Sequence, residues 1–455
     1  MKWAKAFLLC TLGFIGFAGF AEGTTYYVST SGSDGNSCAV AQAGGSSAKR
    51  NMNGSSGAIA CMSSGDTLLV QDGTYNEQIS DWADEHFPGT TRPPNGTSWS
   101  APTVIRSENV RGAMINKPGT DPVYELVVSL ALVSTQYVSV EDFVIDGRGT
   151  AASCVWIGPA NHIQIKGNKI QNCARNGLYQ AVDDLDENGN DSRIINNEIA
   201  NVSMTQPDDP GTHGIYFTGH DSLIQGNFIY GCPFYGIVAS SEHGGLYNNV
   251  IENNRIYGCG LAGIISQGSS TILRNNLLEN NCIGIWVHGS AKVYNNTIFD
   301  YANSWCKTDT YGIFNGSGTI DIKNNVILQQ ESYAIYSLVS PTLEGNLCDG
   351  AAAGCQITVG DYTTVVVNGI LSAGITPTGS NLALKTGSAA INAGVNVGSD
   401  VPVDRLGVAR PQGGEYDIGA YEFSAGGDVT PPVVSITSPS SGATVSGTIS
   451  VTATA

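Results

Sequence analysis

With 455 residues, the chain is long enough for one large domain or several small ones. Its 57 glycines and only 13% charged residues sit badly with a regular helical protein, and a 41% hydrophobic content argues against general disorder. The formal charge of −18, nearer −20 once Lys2 and Lys5 leave with the first segment, makes nucleic acids and anionic membranes poor partners, because phosphates need Lys and Arg to neutralise them. A polyanionic glycan such as pectate would also be repelled unless a bound cation bridged it.

Residues 1–21 read as a secretory signal. Lys2 and Lys5 form a basic start, Ala6 to Phe20 are almost all apolar, and Gly19-Phe20-Ala21 offers small residues for cleavage. The apolar run is short for a membrane span. The brief basic start points to a bacterial exported protein, secreted or held at the cell surface. Without Cys10, ten of the eleven cysteines remain, an even count that permits disulfides outside the cell. Cys38–Cys61 and Cys348–Cys355 are the first pairs to test. Cys173, Cys232, Cys259 and Cys282 fall at equivalent points of the repeat described next. They are expected to stack as an unpaired column, with parallel side chains holding the Cβ atoms too far apart.

One pattern recurs through the middle of the chain: apolar, any, any, Asn, any, apolar. It appears as IKGNKI, INNEI, IQGNFI, IENNRI, LRNNLL, VYNNTI, IKNNVI and LEGNL. Its asparagines are Asn168, Asn197, Asn227, Asn254, Asn276, Asn296, Asn325 and Asn346, at intervals of 29, 30, 27, 22, 20, 29 and 21 residues. VSVEDFVI, with Asp142 at the equivalent place, reads as an earlier rung. A second pattern follows: NGLY, HGIY, YGIV, AGII, IGIW, YGIF and YAIY. Each repeat is then strand, Asn turn, strand, corner, Gly-led strand and a variable loop. Repeats of this length built from short strands signal a solenoid, an all-β coil of three strands per turn. The asparagines would stack inside one turn, each amide bonding backbone and the next Asn. Leucine-rich repeats share the period but not the consensus, and a propeller blade needs about 40 residues.

Here the sequence resembles the right-handed parallel β-helix family of pectate lyases and related secreted polysaccharide-active proteins. YYVSTSGSDGNSC followed by SSGDTLLVQDGTYNEQI looks like the entry segment of bacterial members. INAG and DRLGVARPQGGEYDIGAYEF look like their closing segment. The resemblance spans residues 24–423. It implies the fold, whereas activity in this family ranges over lyases, hydrolases, epimerases and non-catalytic adhesins. Residues 424–432 read as a linker. Residues 433–455 alternate apolar and polar positions like the start of an immunoglobulin-like β-sandwich.

In the Gly-led strands, an inward Ile215 turns Tyr216 outward. The same register gives Trp156, Tyr179, Tyr216, Val238, Ile265, Trp286, Phe314 and Tyr336 as one outward column, with His288 on that face. Such an exposed aromatic stripe suits the C–H faces of sugar rings, so a polysaccharide is the expected partner and the chain is expected to act as a monomer. Loops folded over the stripe are the alternative. Ionisable residues gather nearby. Asp208, Asp209, His213, His220, Glu242 and His243 are the candidate catalytic set. Asp184, Asp186, Asn188 and Asp191 resemble the first half of an EF-hand loop and are candidate Ca2+ ligands, although Ile195 stands where that loop needs Glu.

Three schemes compete. A glycoside hydrolase needs two carboxylates, which Asp208, Asp209 and Glu242 would supply. A lyase needs a base for the sugar C5 proton, with His213, His220 or His243 in that role and calcium neutralising the sugar carboxylate. Pectate lyases of this fold use Lys or Arg as base, but the groove strands carry neither, and Lys166 and Arg175 are nearest. The third scheme is a non-catalytic adhesion or glycan-binding module. The paired-Asp and Arg-x-Lys patterns of polygalacturonases are absent, no serine-hydrolase elbow is present, and the irregular aromatic column does not suit ice binding.

Overall fold

The computed structural model describes residues 23–81, 89–116, 126–130, 132, 134–180, 191–202, 211–242, 246–299, 306, 310–328, 333–349, 357–359, 382–384, 388–424, 435–438 and 452–454. Among these, three parallel sheets of 12, 12 and 10 strands form a β-helix. One coil illustrates the plan: Asn161–Lys166 lies in the first sheet, Lys169–Gln171 in the second and Asn176–Gln180 in the third. Each strand pairs with its counterpart one coil away, so contacts cross the chain at a distance while every coil touches only its neighbours.

The core is three apolar columns, one per sheet. The first runs Val140, Ile165, Ile194, Ile224, Ile251, Leu273, Val293 and Ile322. The second runs Ile145, Ile170, Ile199, Ile229, Ile256, Leu278, Ile298 and Ile327. The third runs Val155, Leu178, Ile215, Ile237, Ile264, Ile285, Ile313 and Ile335. All are at most 3% exposed. Burying each such side chain contributes about 1.5–3 kcal/mol, and β-branched chains suit the pleated wall.

The stacked asparagines form as expected. In each rung the backbone N–H and Nδ2 of one Asn donate to Oδ1 of the next, at 2.9–3.2 Å, from Asn168 through to Asn346. Nδ2 also donates to a backbone carbonyl at the end of the first-sheet strands, such as Ile224 for Asn254 (2.9 Å). The residue before each ladder Asn adopts positive φ: Gly167, Asn196, Gly226, Asn253, Asn275, Asn295, Asn324 and Gly345. Asn and Gly tolerate that conformation, which explains the GN and NN dipeptides. Asp142 departs from its expected place. It takes the positive-φ position (φ 62°), and the fully buried Phe143 stands at the ladder level, its N–H donating to Asn168 Oδ1 (2.9 Å).

The cysteines correct a second expectation. Cys38–Cys61 is bonded, but so are Cys154–Cys173, Cys232–Cys259 and Cys282–Cys306, with Cα–Cα distances of 4.8–5.5 Å. Every one of the last three bonds has a member in a corner or loop outside the strands, where side chains are not held parallel as in a ladder. Cys348 is disulfide-bonded too, while Cys355 lies outside the described residues.

The closing segment lies over the second sheet. Ile418 packs with Phe299, Val326 and Leu328, and Tyr421 with Leu277. The outward asparagines of the NN turns fasten it: Asn275, Asn295 and Asn324 donate to the carbonyls of Val403, Asp417 and Val395 at 2.8–2.9 Å. Arg410 and Glu422 pair at 2.7 Å with both side chains fully buried. The expected signal (1–21) and linker (424–432, apart from residue 424) fall outside the described residues. Of the expected sandwich start, Ser435–Ser438 pairs antiparallel with Thr452–Thr454.

Asn254→Ala removes the acceptor of two Asn227 donors, the Nδ2 donor to Ile224 O and one of the two donors to Asn276 Oδ1, which keeps the backbone N–H of residue 254. Orphaned buried groups cost about 1–3 kcal/mol each. Urea unfolding should therefore show a loss of about 3–5 kcal/mol; a loss below about 1 kcal/mol would mean the ladder carries little of the stability.

Candidate functional site

The three outer faces differ in chemistry. On the first sheet, charges alternate along the stack: Lys166 faces Glu141 (3.7 Å), Arg274 meets Glu252 (2.5 Å), and Lys323 lies near Asp321 and Glu344 (3.3 and 3.5 Å). On the second, Arg111 and Lys169 share Glu198, Arg255 pairs with Glu279, and the closing segment covers later coils. The third presents aromatic rings.

The register of the third sheet places Trp156, Tyr179, Tyr216, Val238, Ile265, Trp286, Phe314 and Tyr336 in one column, as expected. The column is not exposed throughout. Tyr216, Val238 and Ile265 are each only 6% exposed, while the rings on either side are half-buried. The face therefore has two aromatic lobes separated by an aliphatic step. Tyr216 and Trp286 are three coils apart, about 14 Å at the spacing of parallel strands.

A second outward column runs beside the first: Asn176, His213, Tyr235, Ala262, Ile283, Tyr311 and Tyr333. These are the first letters of the same tetrapeptides (NGLY, HGIY and so on), so the signal was present in the repeat but hidden by reading only its last letter. Glycine separates the columns for a reason of space. A Cβ on Gly214 would sit 2.6 Å from both the Gly236 carbonyl and Ile229 Cγ2.

In the first lobe, Tyr179 stacks on Tyr216 (4.9 Å between centroids), and His213 lies 5.0 Å from Tyr216 and 5.5 Å from Tyr235. Asn176 Oδ1 accepts from the backbone N–H of His213 (2.9 Å) and lies 3.0 Å from its Nδ1. That acceptor holds the ring proton on Nδ1, leaving Nε2 as the basic nitrogen. Tyr216 donates its hydroxyl to Glu242 Oε2 (2.8 Å). Burial, with the carboxylate beside it, pushes the Tyr216 phenol well above the usual tyrosine range. In the second lobe, Trp286 contacts His288 (5.1 Å) and Phe314 (5.5 Å), Phe314 stacks on Tyr336 (5.8 Å), and Tyr311 stacks on Tyr333 (5.9 Å). Burial lowers the His288 pKa below its usual 6.5.

The structure thus brings His213, Tyr216 and Glu242 together. It makes a separate cluster of His220, whose Nδ1 meets Asp221 (2.7 Å) and whose ring stacks on Tyr247 (4.2 Å), at the corner leading into the first sheet. His243, Asp208 and Asp209 lie outside the described residues, as do Asp184, Asp186 and Asn188. Asp191, the fourth expected calcium ligand, is already engaged. Its Oδ2 accepts from Trp99 Nε1 (2.6 Å) and lies 3.0 Å from His162 Nδ1, and Arg193 stands 3.7 Å from Oδ1. Among the described residues, no three His, Cys, Asp or Glu side chains form a group able to hold a metal. Trp99, Tyr137 and His162 were not anticipated; Tyr137 and His162 stack at 4.2 Å, and Arg193 lies over the Trp99 ring at 3.8 Å. Nothing local in the sequence links them, because residues 99 and 191 meet only through the coil.

A family model described as a right handed beta helix region matches residues 131–298. No curated protein matches the chain. Among solved structures, pectate lyase Pel9A superposes with a TM-score of 0.58 at 16% identity, over 89% of this chain and 98% of that one. XylC in complex with xylose superposes with a TM-score of 0.52 at 12% identity, over 88% and 98%. Likeness at these identities shows the fold alone: the chain is a right-handed parallel β-helix.

His288 offers a check on the second lobe. Its folded form resists protonation, so between its lowered pKa and about 6.5 the unfolded chain binds more protons. Stability should fall as pH drops through that window and level off below it. His288→Gln should flatten this part of the Tm–pH curve, and an unchanged curve would place His288 in water.

Proposed function

Starting from a right-handed parallel β-helix, we propose that this protein is an exported polysaccharide-active enzyme, a lyase or glycoside hydrolase, that holds its glycan along the third sheet. One observation carries the reading: among the described residues, this face presents two long columns rich in rings, with His213 in one and Glu242 hydrogen-bonded to Tyr216 of the other. Aromatic rings offer large apolar area to the C–H faces of sugars at small entropic cost. Two solved structures that share the fold are a pectate lyase and a protein bound to xylose, which agrees with a carbohydrate ligand.

His213 is the candidate base in this reading, with Asn176 setting its tautomer and Glu242 beside it through Tyr216. Hydrolysis needs a second carboxylate, for which Asp208 and Asp209 are the candidates. In a lyase, a calcium ion at Asp184, Asp186, Asn188 and Asp191 would neutralise a uronate carboxylate, provided Asp191 gave up its partners.

A second reading, glycan binding without turnover, has its own support: among the described residues the first lobe gathers a single carboxylate, Glu242, and no metal group. The two diverge in one assay. Purified protein on a glycan panel, with calcium or chelator, is followed for absorbance near 235 nm and for reducing ends. Absorbance growth marks a lyase, and reducing ends alone mark a hydrolase. His213→Ala and Glu242→Gln should each cut product formation by about 100-fold or more, with binding changed only a few-fold. Silence in both readouts with retained binding would replace the enzyme by the binding module.

A further inference from the structure

Resting on the glycan-binding reading above, we infer that the polysaccharide held on the third sheet is uncharged, which retains the hydrolase and binding readings and removes the lyase, since elimination needs a uronate. Over ten coils, none of the outward positions of this face carries Lys or Arg among the described residues; they are Ser80, Ser129, Leu126, Ser153, Asn176 and the ring-bearing or aliphatic residues named above. Among the described residues, the charged group that does reach it is negative: Glu242, on the Tyr216 hydroxyl.

Among the described residues, cations of neighbouring faces are already paired. Lys166, Arg274 and Lys323 sit in the ion pairs of the first sheet, and Arg111, Lys169 and Arg255 in those of the second. Arg175, in the turn entering the third sheet, already has partners of its own. A polyuronate brings one carboxylate per sugar. Laid on these rings, each would lose water and gain neither a cation nor a guanidinium, beside a chain whose net charge is −18. Neutral sugars carry no such cost: their C–H faces meet the rings, and their hydroxyls reach Glu242 or water at the rim.

Full-length protein is tested by affinity electrophoresis and calorimetry at physiological salt. The neutral probes are xylan, mannan, galactan and mixed-linkage β-glucan; the charged probes are polygalacturonate and alginate, each with calcium and with chelator. Trp286→Ala and Tyr336→Ala are run beside the wild type, with thermal unfolding to confirm that each variant folds. The expected result is binding of at least one neutral polymer, weakened about tenfold or more by either substitution, and no measurable binding of either polyuronate. Polyuronate binding that either substitution weakens, with or without calcium, would overturn the neutral-glycan inference and leave the glycan-binding reading intact. Binding of neither class, or binding indifferent to both substitutions, would overturn the reading itself.

Discussion

The coil depends on the asparagine ladder. A parallel stack of short strands has no hairpins to set its register, and a slip of one residue in any coil would turn its apolar column outward. The ladder prevents this at one corner. From Asn168 to Asn346, each amide holds the next Asn and a strand-end carbonyl. A two-residue turn of constant length follows between the first and second sheets, as in Lys166 to Lys169 and Lys323 to Val326. Buried amides that satisfy one another contribute specificity that an apolar corner could not, since an Asn displaced by one position would leave several polar groups without partners.

Fixing one corner has consequences for the others. Variation in coil length must be absorbed elsewhere, and the long connections, such as Ala200 to His213, Gln180 to Arg193 and Phe299 to Tyr311, all enter or leave the third sheet. The invariant corner recruits the closing segment instead, through the outward amides of Asn275, Asn295 and Asn324. The second sheet is thereby covered in its later coils. The first sheet is occupied by alternating charges that neutralise one another. The third, flanked by loops free to vary, remains the face on which rings, His213 and Glu242 can be displayed.

Parts of that face were readable and parts were not. The order from Trp156 to Tyr336 follows from the period of the repeat, because a parallel in-register sheet turns sequence spacing into spatial adjacency. The parallel column of His213, Tyr235, Tyr311 and Tyr333 was in the same tetrapeptides but went unread, because strict alternation does not predict two outward positions three residues apart. Burial of Tyr216, Val238 and Ile265 was hidden, since exposure depends on neighbours that no local pattern encodes. The disulfides Cys154–Cys173, Cys232–Cys259 and Cys282–Cys306 were hidden for a related reason: corner backbones do not keep side chains parallel.

Sequence alone determined the solenoid, its ladder asparagines, its three apolar columns and the aromatic order of one face, because each is a one-dimensional period wound on a constant rise. Tertiary structure alone decided which charges meet. Asp191 reads locally as a metal ligand, yet it is claimed by Trp99, His162 and Arg193. Glu242 reads as one acid in a loop, yet it is singled out by the hydroxyl of Tyr216 one coil away. A carboxylate's role is set by the partners within hydrogen-bond reach, and those partners lie tens of residues off along the chain.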